Sequence, residues 1–226
     1  MRFASVMREY PVERFNALNA ISICRHLFIK RIPGINVSHD KTEALTRLDA
    51  IHTSIREASG FEDWPLVTAE QIHGADIAVI DAPIESRRHF HGCDGFITNQ
   101  RGLALGIHVA DCCAIYIVDP KKAAIGLIHS GRKGTECNIV GNAIKHLSRS
   151  FGSNPADLIV QLSPCIRPPH YETDFAAQIV GQCRAAGLEH INDSGVCTAC
   201  HPDRYYSYRL EKGKTGRMLA LLGLNP

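Results

Sequence analysis

The stretch from Val109 to His129, VADCCAIYIVDPKKAAIGLIH, constrains the fold more than any other part of the chain. Two apolar runs rich in β-branched residues flank the polar segment Asp119-Pro120-Lys121-Lys122, a pattern that predicts an antiparallel hairpin. If the hairpin is centred between Pro120 and Lys121, Cys112 and His129 are direct partners, with Cβ atoms about 4.5 to 5.5 Å apart. Alternation along the strand then turns Cys113 to the opposite face. Proline in the turn favours a loop longer than two residues, and a symmetric longer loop keeps the pairing, whereas a slip of one residue breaks it. A thiolate and an imidazole so placed can reach one metal ion. Two buried core residues fit the same pattern.

Around this hairpin the hydrophobic period alternates. Asp40 to Gly60 predicts a helix, with Asp40 as N-cap, Glu43 three residues on, Leu45, Leu48, Ile51 and Ile55 at helical spacing, and Gly60 as the stop. Leu66 to Thr68, Ile77 to Ile80, Gly95 to Thr98, Leu103 to Ala110, Cys113 to Asp119 and Ala123 to Ser130 read as strands of one sheet system. A helix is expected over Glu136 to Phe151, ended by Gly152, then a strand over Leu158 to Leu162 and a helix over about Asp174 to Ala186. The tail from Tyr205 to Leu224 fits either helix or strand. With no repeat or linker in the sequence, the expectation is a single α/β domain over residues 1–226, mixed β-sheets flanked by helices.

Composition narrows the function classes. A chain of 226 residues with 45% hydrophobic and 21% charged content has the balance of an ordinary globular protein, and its net charge of +2 is not gathered into a basic block. Small molecules, rather than nucleic acid or a membrane surface, are the expected partners. The start, MRFASVMREYPVERF, has no apolar h-region and no later run approaches the ~20 residues of a membrane helix, so a cytoplasmic location is expected. Nine cysteines, an odd number without an export signal, are expected to be mostly reduced.

A metal site needs a third ligand, and His73 in Gln71-Ile72-His73-Gly74 is the best local candidate, because Gly74 permits close backbone approach. A satisfied core or loop histidine is the alternative. Cys197-Thr198-Ala199-Cys200-His201 matches the string for haem c attachment, but that chemistry belongs outside the cytoplasm, and a packed, reduced cysteine pair is the expected reading. Pro164-Cys165 is not followed by the second cysteine of the nucleobase-deaminase signature, and no phosphate-binding P-loop occurs.

Gln71-Ile72-His73-Gly74, Cys93-Asp94-Gly95-Phe96-Ile97-Thr98, Ala110-Asp111-Cys112 and His129-Ser130-Gly131-Arg132-Lys133-Gly134 fall in the order and spacing of four family motifs. Ser163-Pro164-Cys165-Ile166, Tyr171-Glu172, Cys197-Thr198, Ser207-Tyr208-Arg209 and Thr215-Gly216-Arg217 continue the pattern. Together they resemble the bacterial laccase-domain, or "multicopper polyphenol oxidase", family, better described as purine nucleoside phosphorylases. The resemblance implies the laccase-domain fold, similar to cytotoxic necrotizing factor, and zinc held by His73, Cys112 and His129 with a fourth position open. It further implies phosphorolysis of adenosine, inosine and S-methyl-5'-thioadenosine, with an adenosine deaminase side activity, so that a purine nucleoside and phosphate are the partners of a monomer or small homo-oligomer.

Asp111 is a candidate proton carrier or anchor beside Cys112, and Arg132, Lys133, Arg209 and Arg217 are candidate substrate contacts. His108 is a weaker candidate, expected on the face of Cys112 by strand alternation. Arg132-Lys133 stands where the family has Trp-Arg, which replaces an aromatic surface and exchanges a guanidinium fork for a point charge. The alternatives are a copper-dependent polyphenol oxidase, a hydrolase that edits peptidoglycan precursors, and a non-catalytic zinc protein.

Overall fold

Short apolar segments separated by turn-forming Gly, Pro and Asp assemble into two six-stranded sheets in the computed structural model, which describes residues 10–226. Residues 1–9, on which most of the reading of the chain start falls, lie outside the described residues. In chain order the strands are β1 (Val12–Glu13), β2 (Cys24–Ile29), β3 (Leu66–Ala69), β4 (Ala78–Ile80), β5 (Arg88–Phe90) and β6 (Gly95–Thr98). They continue as β7 (Ala104–Val109), β8 (Cys113–Asp119), β9 (Ala124–Ser130), β10 (Ile159–Leu162), β11 (His190–Asp193) and β12 (Met218–Leu224). The helices are α1 (Asn16–Asn19), α2 (Lys41–Arg56), α3 (Arg132–Glu136), α4 (Ile139–Phe151) and α5 (Phe175–Ala185).

The expectation of one sheet system is corrected here. The first sheet runs β1-β2-β12-β7-β3-β5 and the second β11-β10-β8-β9-β6-β4, each mixing parallel and antiparallel pairs. Leu27, Leu105 and Leu221 of the first sheet share one core with Phe96, Tyr116 and Leu127 of the second. The other face of the second sheet packs Cys113, Ile115, Ile117 and Ile128 against Ile139, Ile144, Leu147 and Ile179 of α4 and α5. With both faces covered, β8 and β9 are buried along their whole length, which is why their sequence reads as continuous apolar runs.

The hairpin forms, but two residues out of the expected register. Cys113 pairs with Ser130 and Asp119 with Ala124, so Ala114, not Cys112, faces His129. Asp119 Oδ1 accepts the amides of Lys121 and Lys122 and Ala123 takes a left-handed φ of 48°, which centres a four-residue loop one step later than the symmetry about Pro120 and Lys121 implied. Cys112 lies just ahead of β8 and two residues from Ala114, so the shift conserves the face while breaking the direct opposition.

Asp40 caps α2 by accepting from the Glu43 amide at 3.0 Å, and Gly60, at φ 88°, lies in the turn that ends the helical path. The helix expected over Glu136 to Phe151 begins only at Ile139. Asn138 sits at φ 54° with its side chain accepting from the Gly141 amide, and this cap separates α3 from α4. Gly152 closes α4 at φ 70°. The tail resolves into turns followed by β12, which lies between β2 and β7 in the first sheet. Strands β1, β2, β5 and β11 match none of the expected apolar runs.

Candidate metal centre

The three candidate ligands come from both sheets. His73 is in the loop after β3, Cys112 is in the turn by which the chain leaves β7 for β8, and His129 is the penultimate residue of β9. Their ligand atoms all lie within 4.8 Å of one another. The loops reach this point through left-handed backbone at Gln71 and His73, both φ 62°, and at Asp111, φ 79°. Gly74 has no such φ, so the left-handed positions of the first loop are Gln71 and the histidine itself.

Asp94, immediately before β6 and fully buried, organises the cluster. Its Oδ1 accepts the His73 amide at 2.9 Å and meets His129 Nδ1 at 2.8 Å, while Oδ2 accepts the Gly74 amide at 2.7 Å. Burial pushes the Asp94 carboxyl up, but the His129 ring and the two amides outweigh it and hold the carboxylate form. With Nδ1 so engaged, Nε2 of His129 is the atom left for a ligand role, the arrangement by which a carboxylate fixes a metal-binding histidine. In the sequence Asp94 stands out only as part of the Cys93-Asp94-Gly95 motif, with no role of its own. The signal available there was an aspartate at the threshold of an apolar strand, a position where a carboxylate requires partners.

Burial alone would raise the Cys112 thiol, yet the charge and hydrogen bond of His129, with those of His73, bring it down to about 6. Burial lowers His129, and the Cys112 thiolate followed by Asp94 more than reverses that, raising it to about 9. The two shifts describe one thiolate and imidazolium interaction from its two ends. A Cβ at Gly131 would stand 2.6 Å from Cys112 Sγ and 3.7 Å from the His73 ring, so only glycine leaves the sulfur its place. Two imidazoles and a low-pKa thiol, braced by a carboxylate and converging within bonding range of one point, fit a transition-metal ion.

The cluster forms part of a cavity of about 770 Å³ whose walls include Ile166, Tyr171, Phe175 and the half-exposed Tyr208. Arg132, Lys133, Arg209 and Arg217 all line it. Arg132 is paired with Glu136 at 3.1 Å and Glu172 at 3.6 Å, and Arg209 is held by Glu172 at 2.9 Å above the Tyr171 ring. Lys133 is exposed and has no ion pair among the described residues. Arg217 is buried, its Nη1 donating to the carbonyls of Thr215 and Gly216. The Arg132-Lys133 departure thus places one paired cation and one free one at the cavity.

Asp111 also lines the cavity, but its carboxylate is occupied. Oδ1 accepts from Thr198 Oγ1 at 2.7 Å, and Oδ2 from Ser207 Oγ at 3.0 Å and the Arg209 amide at 2.7 Å. It ties the carboxy-terminal turns to the Cys112 turn. His108 belongs to the cavity wall without strand alternation placing it there, because the chain turns out of β7 before Cys112. Cys197 and Cys200 are free thiols, Cys200 exposed, on the turn that carries Thr198.

The family model described as multi-copper polyphenol oxidoreductase laccase matches residues 30–177 and 170–225. The chain is 28% identical over 228 residues to the purine nucleoside phosphorylase YlmD of Geobacillus stearothermophilus, an alignment that covers 84% of this chain and 82% of that protein. It is 30% identical over 200 residues to the purine nucleoside phosphorylase YlmD of Bacillus subtilis, covering 72% and 71%. The crystal structure of the Geobacillus stearothermophilus protein superposes with a TM-score of 0.78 at 26% identity, covering 91% of this chain and 93% of that one.

Proposed function

Because the chain belongs to the multi-copper polyphenol oxidoreductase laccase family, we propose that it is a zinc-dependent purine nucleoside phosphorylase acting on adenosine, inosine and S-methyl-5'-thioadenosine. The observation that carries this reading is the braced His73, Cys112 and His129 cluster in a cavity of nucleoside size with cations along its wall. Relatives that bear the phosphorylase name support the reaction class. Among the described residues this cluster stands alone, whereas oxidation by a multicopper enzyme requires several copper sites, which favours zinc over copper.

In this reading the whole chain is one laccase-domain unit, and His73, Cys112 and His129 are its metal ligands. Bound zinc would supply a Lewis acid and a water of lowered pKa, suited to the adenosine deaminase side activity as well. Lys133 and Arg217, with Arg132 and Arg209 beside them, hold phosphate against the ribose, since phosphorolysis needs the attacking anion fixed and its charge balanced. Tyr171, Phe175 and Tyr208 offer aromatic surface to the purine. Asp111 keeps the Arg209 segment in register with Cys112. A cytoplasmic monomer or small homo-oligomer completes the proposal, the free cysteines favouring a reducing compartment.

Incubating purified, zinc-analysed protein with adenosine, inosine and S-methyl-5'-thioadenosine in turn, with and without phosphate, and identifying products by mass tests the reading. From adenosine, adenine and ribose 1-phosphate formed only with phosphate are expected. Inosine as the sole product would leave only the deaminase, and no product from any of the three nucleosides would overturn both activities.

A further inference from the structure

The phosphorylase reading makes no use of Cys197 and Cys200, two free thiols at the ends of one tight turn. Cys197 stands just before a single 3₁₀ turn, Thr198–Cys200, and the Cys200 amide donates to the Cys197 carbonyl at 3.2 Å. A turn closed by such a bond brings its first and last Cα atoms within about 7 Å. A disulfide spans Cα separations of about 4.4 to 6.8 Å, and side chains three apart in a 3₁₀ turn eclipse one another. The thiols do meet: the hydrogen bond with Cys197 is the first cause, ahead of burial, that raises Cys200 above the ordinary thiol range.

The backbone holds this turn from both sides with no bond between the sulfurs. The Cys165 amide donates to the Val196 carbonyl at 3.2 Å, the Thr198 amide to the Cys165 carbonyl at 3.1 Å, and the His201 amide to the Thr198 carbonyl at 3.2 Å. Cys200 is exposed and Cys197 buried, so a reagent from solvent meets Cys200 first. Cys165 lies opposite Cys197 across a backbone bridge, but it is fully buried, and the Cys113 thiol, by hydrogen bond and then with burial, raises it well above the thiol range and keeps it protonated. A raised thiol is a poor target for peroxide, whose attack follows thiolate character. In thiol–disulfide exchange the smaller thiolate fraction is partly offset by greater nucleophilicity.

We propose that Cys197 and Cys200 form a dithiol site that exchanges with low-molecular-weight disulfides of the glutathione class. The Cys200 thiolate, its proton released to solvent, attacks one sulfur of the small disulfide, forming a mixed disulfide and expelling a small thiolate. Cys197 then loses its proton, attacks Cys200 Sγ and expels the second small thiolate. Two protein thiols are thereby oxidised to one disulfide as one small disulfide is reduced to two thiols. Closure replaces the weak hydrogen bond, 3.8 Å long, from Cys197 Sγ to the Arg167 carbonyl. Thr198, between the two cysteines, donates to Asp111 Oδ1 at 2.7 Å, which places the pair one hydrogen bond away from the residue that precedes Cys112. The site is built outside the metal cluster and stands whether or not the chain is a phosphorylase.

The tryptic peptide 185–204 contains Cys197 and Cys200 and no other cysteine, so mass spectrometry reads the pair directly. After the full chain is incubated with glutathione disulfide at about pH 8 and then alkylated, this peptide is expected to carry no alkyl group and to be lighter by two hydrogens. Reduced glutathione is expected to reopen it at a concentration about tenfold or more above the one that strips glutathione from the exposed Cys137, because the two thiols are already neighbours. Cys197→Ser is expected to hold glutathione on Cys200 as the trapped first step. Full alkylation of the parent peptide, a glutathione adduct that accumulates on it without closing, reopening as easy as at Cys137, or an unmodified Cys200 in Cys197→Ser overturns the proposal.

Discussion

Asp94 holds two of the proposed metal ligands at once, His73 through its amide and His129 through its ring, so its substitution separates structure from charge. Asp94→Asn keeps the volume but turns an NH2 group toward donors, and affinity for the proposed zinc ion is expected to fall about 10- to 100-fold in competition with a chromogenic chelator. The Cys112 and His129 pair predicts a pH window for the metal-free protein. Cys112 is lowered to about 6 from an ordinary value of 9.0, so its contribution to stability is full above the ordinary value and is lost as pH falls through about 6. His129 is raised to about 9 from 6.5, so its contribution is full below 6.5 and is lost as pH rises through about 9. Urea midpoints are expected to be highest between these limits, and the profile should flatten in Cys112→Ser. Thiolate absorbance in the ultraviolet should report an apparent pKa near 6 that disappears in the same variant. His73 was the proposed ligand least legible from residue spacing, because what delivers it is its own left-handed backbone and a buried carboxylate 21 positions later, neither of which a local motif displays.

At the scale of elements, the hairpin strands β8 and β9 were legible as apolar runs bounded by turn-formers, whereas the edge strand β5 and the buried strands β2 and β12 were not. The bounds of β6 and β8 coincide with the expected apolar runs, whereas β5, an exposed edge strand of Arg88-His89-Phe90, has no apolar signature. The hairpin register depended on an Asp119 side chain gathering two amides, a choice made by turn chemistry rather than hydrophobic pattern. Asn138 illustrates the same limit, since helical periodicity runs through it while its left-handed backbone divides α3 from α4. Asn138→Ala loses the cap and forces a Cβ-bearing residue without local hydrogen bonding into that conformation, for an expected loss of about 1 to 3 kcal/mol in denaturant titrations. Asn138→Gly, which tolerates the conformation, is expected to lie closer to the parent protein.

Across the whole molecule, the tail that sequence periodicity could not assign is the strand that completes the first sheet. Leu221, fully buried in β12, pairs with Leu27 of β2 and Gly106 of β7 and contributes to the core shared by the two sheets. Leu221→Ala is expected to cost about 2 to 5 kcal/mol. Because the core is shared, loss of tyrosine near-ultraviolet signal and loss of bound metal are expected to coincide in a single thermal transition, and two separated transitions would mean that the sheets melt independently. The proposed ligands also straddle that core: His73 extends from the first sheet, His129 sits on the second, and Cys112 marks where the chain crosses from one to the other. Any sliding of one sheet along its partner therefore alters the spacing of three donor atoms directly. Loaded with cobalt(II), the cluster would serve as an optical gauge of intersheet shear, its visible spectrum registering a global motion at a single point.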